Sequence, residues 1–132
     1  MLVGEELLRE EDAEFLKRKG WDCEVIAINM GNARKELLIV VHKYALPAKY
    51  RPSSVDLLVR QLPGYPETGM DMFWTRPDVV LAANSHKPDR ADVVETFNGL
   101  SWQRWSRHLN GWRPETDNLE TFFASITREL SK

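Results

Sequence analysis

The chain has 132 residues, 42% of them apolar and 29% charged, the size and composition of one globular domain and not of a disordered chain. Eighteen Lys and Arg against twenty Asp and Glu give a net charge of −2, so no global basic field points to nucleic acid or anionic lipid. Apolar runs reach only five residues, as in Leu37 to Val41, far short of a membrane helix.

Met1 to Asp12 is acidic and lacks the basic start and apolar stretch of a secretion signal. A single cysteine, Cys23, fits a reducing cytoplasm, which is the expected location. The first element is a helix from about Glu10 to Lys19. Its acids Glu10, Glu11, Asp12 and Glu14 come first and its bases Lys17, Arg18 and Lys19 last. That order complements the helix dipole, and Gly20 stands where a left-handed C-terminal cap is wanted. Leu8, Phe15 and Leu16 supply a narrow apolar stripe.

The period then changes. Cys23 to Asn29 reads as a strand, Gly31-Asn32 as a turn, and Glu36 to Tyr44 as a second strand. Its run Leu37 to Val41 has no polar alternation, which predicts a central strand covered on both faces. Beyond Pro47 and Pro52, Val55 to Leu62 forms a third strand, with Asp56 and Arg60 alternating against Leu57 and Val59. Turn formers from Pro63 to Gly69 end it. Tyr65-Pro66 among them is an X–Pro bond, for which cis is the minority form. Met72 to Trp74 is a short fourth strand.

Residues 82–100 carry Asn84, His86, Lys87, Pro88, Asp89 and Asp92 and read as a long surface loop. Asp117 caps a final helix with Glu120 three residues on, and Leu119, Phe122, Phe123, Ile126 and Leu130 fall on one helical stripe. The expected architecture is a single α+β domain over residues 1–132. It comprises an N-terminal helix, a four-stranded antiparallel meander, a long loop and a C-terminal helix.

The conspicuous local feature is Ser101-Trp102-Gln103-Arg104-Trp105-Ser106-Arg107-His108, followed by Gly111-Trp112-Arg113-Pro114. Three of the five tryptophans lie here, with three arginines and no acid between Leu100 and Pro114. In an acidic chain this is a local reversal of sign. One reading makes the tryptophans core and the arginines their covering. The other makes the strip a functional surface.

His108 is a candidate general base and Ser106 a candidate nucleophile, although adjacency in sequence sets no triad geometry. His42 reads as structural and His86 as solvated. No metal site is expected, because Cys23, His42, His86 and His108 are never paired at ligand spacing. No cofactor is expected either, since neither a phosphate-binding glycine loop nor a dinucleotide fingerprint occurs. Cys23, flanked by Asp22 and Glu24, lacks the electropositive surroundings of an activated thiolate and reads as a small core side chain. Aromatic and basic residues alternate at 102–107 as in single-strand binders, a third reading that the balanced charge disfavours.

Several segments form a recognisable set: Leu62-Pro63-Gly64-Tyr65-Pro66 ahead of Met72-Phe73-Trp74, Asn98-Gly99 ahead of the Trp/Arg strip, and Trp112-Arg113-Pro114 ahead of the last helix. From about residue 10 to 130 this set and the order of elements resemble the ubiquitin-conjugating-enzyme (UBC) superfamily, and within it the prokaryotic conjugating-enzyme-like family E. The resemblance implies the UBC fold and a bacterial ubiquitin-like pathway. It also implies partners: a ubiquitin-like protein, an activating enzyme and a JAB-type isopeptidase.

In ordinary members a cysteine follows the Asn-Gly turn and precedes Trp-x-Pro. Here that position falls near Trp102 or Arg104, and the preceding His-Pro-Asn is absent from Asn84-Ser85-His86-Lys87-Pro88. Thioester chemistry needs a sulfur. The expectation is therefore noncovalent recognition of a ubiquitin-like protein through Trp102, Arg104, Trp105, Arg107, His108, Trp112 and Arg113. The alternative is a nonstandard conjugating enzyme that carries its cargo on Ser106, His108 or Cys23.

Overall fold

The structure is a computed structural model and describes residues 1–108 and 111–132. Its strands are β1 (Leu2–Val3), β2 (Asp22–Asn29), β3 (Lys35–Ala45), β4 (Tyr50–Arg51), β5 (Ser54–Gln61), β6 (Phe73–Arg76), β7 (Val80–Leu81), β8 (Val93–Phe97) and β9 (Leu100–Trp105), and its α-helices are α1 (Glu10–Lys19) and α2 (Leu119–Leu130). One seven-stranded sheet runs β1-β2-β3-β5-β6-β9-β8, and β4 pairs with β7 in a separate ribbon. β1 runs parallel to β2 and the other pairs are antiparallel.

The expected meander is β2, β3, β5 and β6. The sheet goes on beyond it, and the expected long loop is thereby corrected. Residues 93–105 form a hairpin whose turn, Asn98-Gly99, has positive φ at both positions, 50° and 81°. That is the primed turn favoured between twisted antiparallel strands. β9 pairs with β6 through Phe73–Trp105, Trp74–Arg104 and Thr75–Gln103. The Trp/Arg strip is thus an interior strand.

α1 has its charges in the expected order and ends at Gly20, φ 67°. The cap of α2 differs from expectation by one residue. The N-cap is Asn118, whose side chain accepts from the Thr121 amide (3.1 Å) while the Thr121 hydroxyl accepts from the Asn118 amide (2.9 Å). Asp117 instead turns back to accept from the Arg113 amide at 2.7 Å. The expected stripe of Leu119, Phe122, Phe123, Ile126 and Leu130 is buried. The Tyr65–Pro66 bond is cis.

Both helices lie on one face of the sheet. Phe15, Leu16, Val25, Ile39, Val41, Leu57, Val59, Phe73 and Trp105 pack there against the stripe of α2. A second core fills the opposite face, with Leu38, Val40, Leu58, Trp74 and Trp102 buried beneath Phe97 and its neighbours. The Arg60 guanidinium also lies over Trp74 and Phe97. β3 is therefore covered on both faces, as its unbroken apolar run predicts.

Two buried polar side chains tie the elements together. Asp12, 1% exposed, accepts from the Leu119 amide at the start of α2 (3.1 Å), from Gln61 Nε2 (3.0 Å) and from the Tyr65 hydroxyl (2.9 Å). Burial and the Asp12 charge push the Tyr65 hydroxyl pKa up. Gln103 of β9 donates to the carbonyls of Val79 (3.1 Å) and Ala91 (2.8 Å) and accepts from the Val79 amide (2.6 Å). The segment between β6 and β8 is thereby pinned to the sheet through the buried Gln103 amide, whose polar atoms are partnered.

Candidate functional site

The strip divides by its position in β9. Trp105 faces the helices and is 0% exposed; it stacks on Phe73 at 5.2 Å and donates to Thr75 Oγ1 at 2.9 Å. Trp102 lies in the opposite core. Neither indole offers free area to a partner, so the anchor role expected of them is corrected: a strand paired on both edges sends alternate side chains into the two cores. Arg104 is half-buried, and its guanidinium meets Glu95 (3.2 Å) and Ser106 Oγ (2.8 Å). The strip has no acid of its own, and the fold supplies one from the neighbouring strand.

Beyond the strand the chain returns to the surface. Arg107 lies 4.8 Å over the Trp105 ring and donates twice to the Asp89 carbonyl, at 3.1 and 3.0 Å. It also faces Glu129 of α2 at 3.9 Å. His108 is exposed, with Nδ1 2.7 Å from Asp71 Oδ2. Trp112 packs on Tyr65 at 5.9 Å and donates to the Pro66 carbonyl at 2.8 Å. A Cβ at Gly69 would stand 2.5 Å from the Trp112 ring, so the glycine is what lets the indole lie down. Arg113 is the most open arginine of the set, with 70% of its side chain exposed and Asp117 at 3.8 Å.

Arg107 and His108 open onto a groove with Lys49, Arg90 and Lys132, where the acids are Asp89 and Glu129. Cations outnumber acids in it even with His108 neutral. Its walls come from the β4 segment, the loop before β8 and the end of α2, which the chain brings together only on folding. Lys49 and Arg90, both exposed, carry no signal in their sequence neighbourhoods that would mark them, and Asp71 is likewise missed by spacing alone.

Ser106 and His108 are two residues apart, but the contact found for Ser106 Oγ is with Arg104. The His108–Asp71 pair has the form of a base and its orienting carboxylate. Cys23 is elsewhere. It is 1% exposed in the helix-side core, on a strand four positions from β9 and so about 19 Å away along the sheet. Burial first, and the Asp22 charge after it, push its thiol up to about 11, away from thiolate chemistry. Among the described residues no cluster of three His, Cys, Asp or Glu could hold a metal ion, and no helix is long and apolar enough to cross a membrane.

Compared with known families, residues 8–132 match the model of Prokaryotic E2 family E. The chain belongs to that family. No curated protein and no solved structure matches it. In this E2-like chain the Asn-Gly landmark, Asn98-Gly99, is the β8–β9 turn, and the Trp-x-Pro landmark, Trp112-Arg113-Pro114, precedes α2. Between them lies β9 with Trp102 and Arg104.

Proposed function

We propose that this E2-like domain serves a ubiquitin-like conjugation pathway by gripping a ubiquitin-like protein noncovalently. The observation that carries the reading is the cationic groove beside the strip. Arg107, His108, Lys49, Arg90 and Lys132 line it, a setting suited to the carboxylates of an extended C-terminal tail. Arg113 and Trp112 line a separate recess with Arg128, adding a further fork and apolar area of the kind enriched at interface hot spots. The buried, un-ionised Cys23 supports the noncovalent part. An activating enzyme and a JAB-type isopeptidase would then act on the same cargo at other sites.

The test is binding of the purified ubiquitin-like protein to the wild type and to Lys49→Glu and Arg90→Glu, whose side chains are exposed and outside both cores. Reversal of either charge is expected to weaken binding about tenfold or more. Unchanged affinity in both variants overturns the reading. A second reading, covalent carriage by Ser106 or His108, is favoured by the His108–Asp71 contact alone. Incubation with the activating enzyme, ATP and the cargo, followed by intact mass, separates the two. An adduct stable to thiols but cleaved by hydroxylamine supports Ser106, and an unmodified chain supports the grip.

A further inference from the structure

The sheet ends on an open edge next to the groove. β8 is its last strand, paired with β9 from Val93–Arg104 through Phe97–Leu100. A two-residue turn makes Phe97 and Leu100 a hydrogen-bonded pair, and along an antiparallel ladder such pairs alternate with non-hydrogen-bonded ones. Val93, Glu95 and Phe97 therefore direct their amides and carbonyls to β9. Val94 and Thr96 turn theirs outward, where no further strand among the described residues receives them.

That edge is unguarded. Exposed edges are ordinarily blunted by a lysine, a proline or a bulge. β8 reads Val-Val-Glu-Thr-Phe, and its register on β9 has no shift. Its one charge, Glu95, is held on the sheet, accepting from Trp74 Nε1 at 3.0 Å and from Arg104 at 3.2 Å. Val93 and Val94 are 38% and 57% exposed. They put β-branched side chains on the two faces of the strand, the surface that one more strand would cover.

Topology gives the added strand a direction. Asp89 and Arg90 of the groove come just before β8, and Arg107 just after β9. The groove is thus at the Val93 end of the hairpin and the Asn98-Gly99 turn at the other. A strand antiparallel to β8 runs from the turn toward the groove; a parallel one would carry its terminus away from the cations. Lys49, Arg90, Arg107 and Lys132 face Asp89 and Glu129 in the groove. The exposed Asp92 at the foot of β8 offsets one cation more, and with His108 neutral the end stays positive by one. A terminal carboxylate is attracted there.

We propose that the extended C-terminal tail of the ubiquitin-like protein adds to the β8 edge as a further strand, antiparallel to β8, with its carboxylate in the groove. The proposal rests on the noncovalent grip argued above and specifies how the tail's main chain is held. Val94 and Thr96 exchange backbone hydrogen bonds with it, and Val93 and Val94 pack against its alternate side chains. A tail segment paired along the five residues of β8 spans about 17 Å.

The experiment measures amide hydrogen exchange in the 15N-labelled full chain, alone and saturated with the purified ubiquitin-like protein. The Val94 and Thr96 amides are expected to exchange freely in the chain alone and about tenfold or more slower in the complex, with those of Val93 and Glu95 protected in both. Val94→Pro removes an outward amide at an edge position of the kind that tolerates proline, and is expected to weaken binding about tenfold. Val94 and Thr96 amides that exchange equally fast in the complex overturn the proposal, whether or not the variant folds. So does a folded Val94→Pro chain that binds as the wild type does. Protection that grows with the concentration of the chain alone assigns the edge to a second copy and likewise overturns it. Weakening by Lys49→Glu and Arg90→Glu but not by Val94→Pro keeps the grip and removes the added strand, whereas indifference to all three removes both.

Discussion

Asp12 concentrates much of the domain's specificity in one carboxylate. Its neighbours Glu10, Glu11 and Glu14 are exposed, and nothing in the charge order of α1 distinguishes it from them. In the fold it is the acceptor for an amide of α2, an amide of β5 and the hydroxyl of Tyr65. Asp12→Ala leaves three donors without an acceptor and is expected to cost about 3–5 kcal/mol by urea denaturation, while Asp12→Asn, with one acceptor oxygen kept, costs less. A loss below about 1 kcal/mol for the alanine variant would contradict the buried knot. Cys23 gives a second check at this scale. With its thiol near 11 and buried, a thiol reagent at neutral pH should label it only as fast as the domain unfolds. Rapid labelling of the folded chain would reopen covalent carriage.

His42 titrates in the opposite sense. Burial alone lowers its pKa, but the hydrogen bond and charge of Asp56, with Glu24 and Asp22, outweigh it and hold the folded value above 6.5. The protonated form therefore stabilises the fold. Its contribution is complete below the unfolded value and is lost as pH rises through the folded one. A third of the side chain is in solvent, so screening limits the effect to about 1 kcal/mol or less. Chemical denaturation on either side of neutral pH should show a fall in stability that His42→Gln lacks. A parallel pH profile in the variant would count against the pairing.

Elements of strong period are legible and elements defined by pairing are less so. α1, the β2–β3–β5–β6 meander and the buried stripe of α2 follow from charge order and apolar spacing because each buries its own periodic face. The β8–β9 hairpin was obscured by the polar stretch from Asn84 to Asp92, although Asn98-Gly99 between Val93–Phe97 and Leu100–Trp105 is a strong hairpin signal in itself. Taken as an entry to a loop, it left Trp102 and Trp105 with no strand to send them inward. The cap of α2 is a finer instance. Asp117 and Asn118 are both good caps by type, and the sequence does not say that Arg113 needs the carboxylate. Asn118→Ala is expected to cost about 1 kcal/mol. Asp117→Ala should act differently, loosening the turn before the helix with little loss of α2 itself. Far-UV dichroism along a denaturation series distinguishes them, and equal helix loss in both variants would return the cap to Asp117.

Across the whole molecule, charge is sorted by folding rather than by sequence. The chain is acidic overall at −2, yet Lys49, Arg90, Arg107 and Lys132 come from four separate segments to one groove. The strip supplies only one of them, which is why the sign reversal at 102–113 marks the neighbourhood of the groove but not its extent. Asp89 pairs with Arg90 and Glu129 with Lys132 in the groove, leaving two cations in excess, whereas Arg104, equally prominent in the strip, pairs with Glu95 and does not line it. Charges exposed around a groove act mainly on encounter, over about a Debye length, roughly 10 Å at 0.1 M salt. Docking of a carboxylate-bearing tail should therefore weaken about three- to tenfold between about 0.05 and 0.5 M salt, chiefly through the association rate. Lys49→Glu and Arg90→Glu should flatten that dependence together with the affinity. Arg104→Gln should leave the salt slope intact, because Arg104 does not line the groove. An affinity indifferent to salt, or a slope that follows Arg104 and ignores Lys49 and Arg90, would move the docking surface away from the groove.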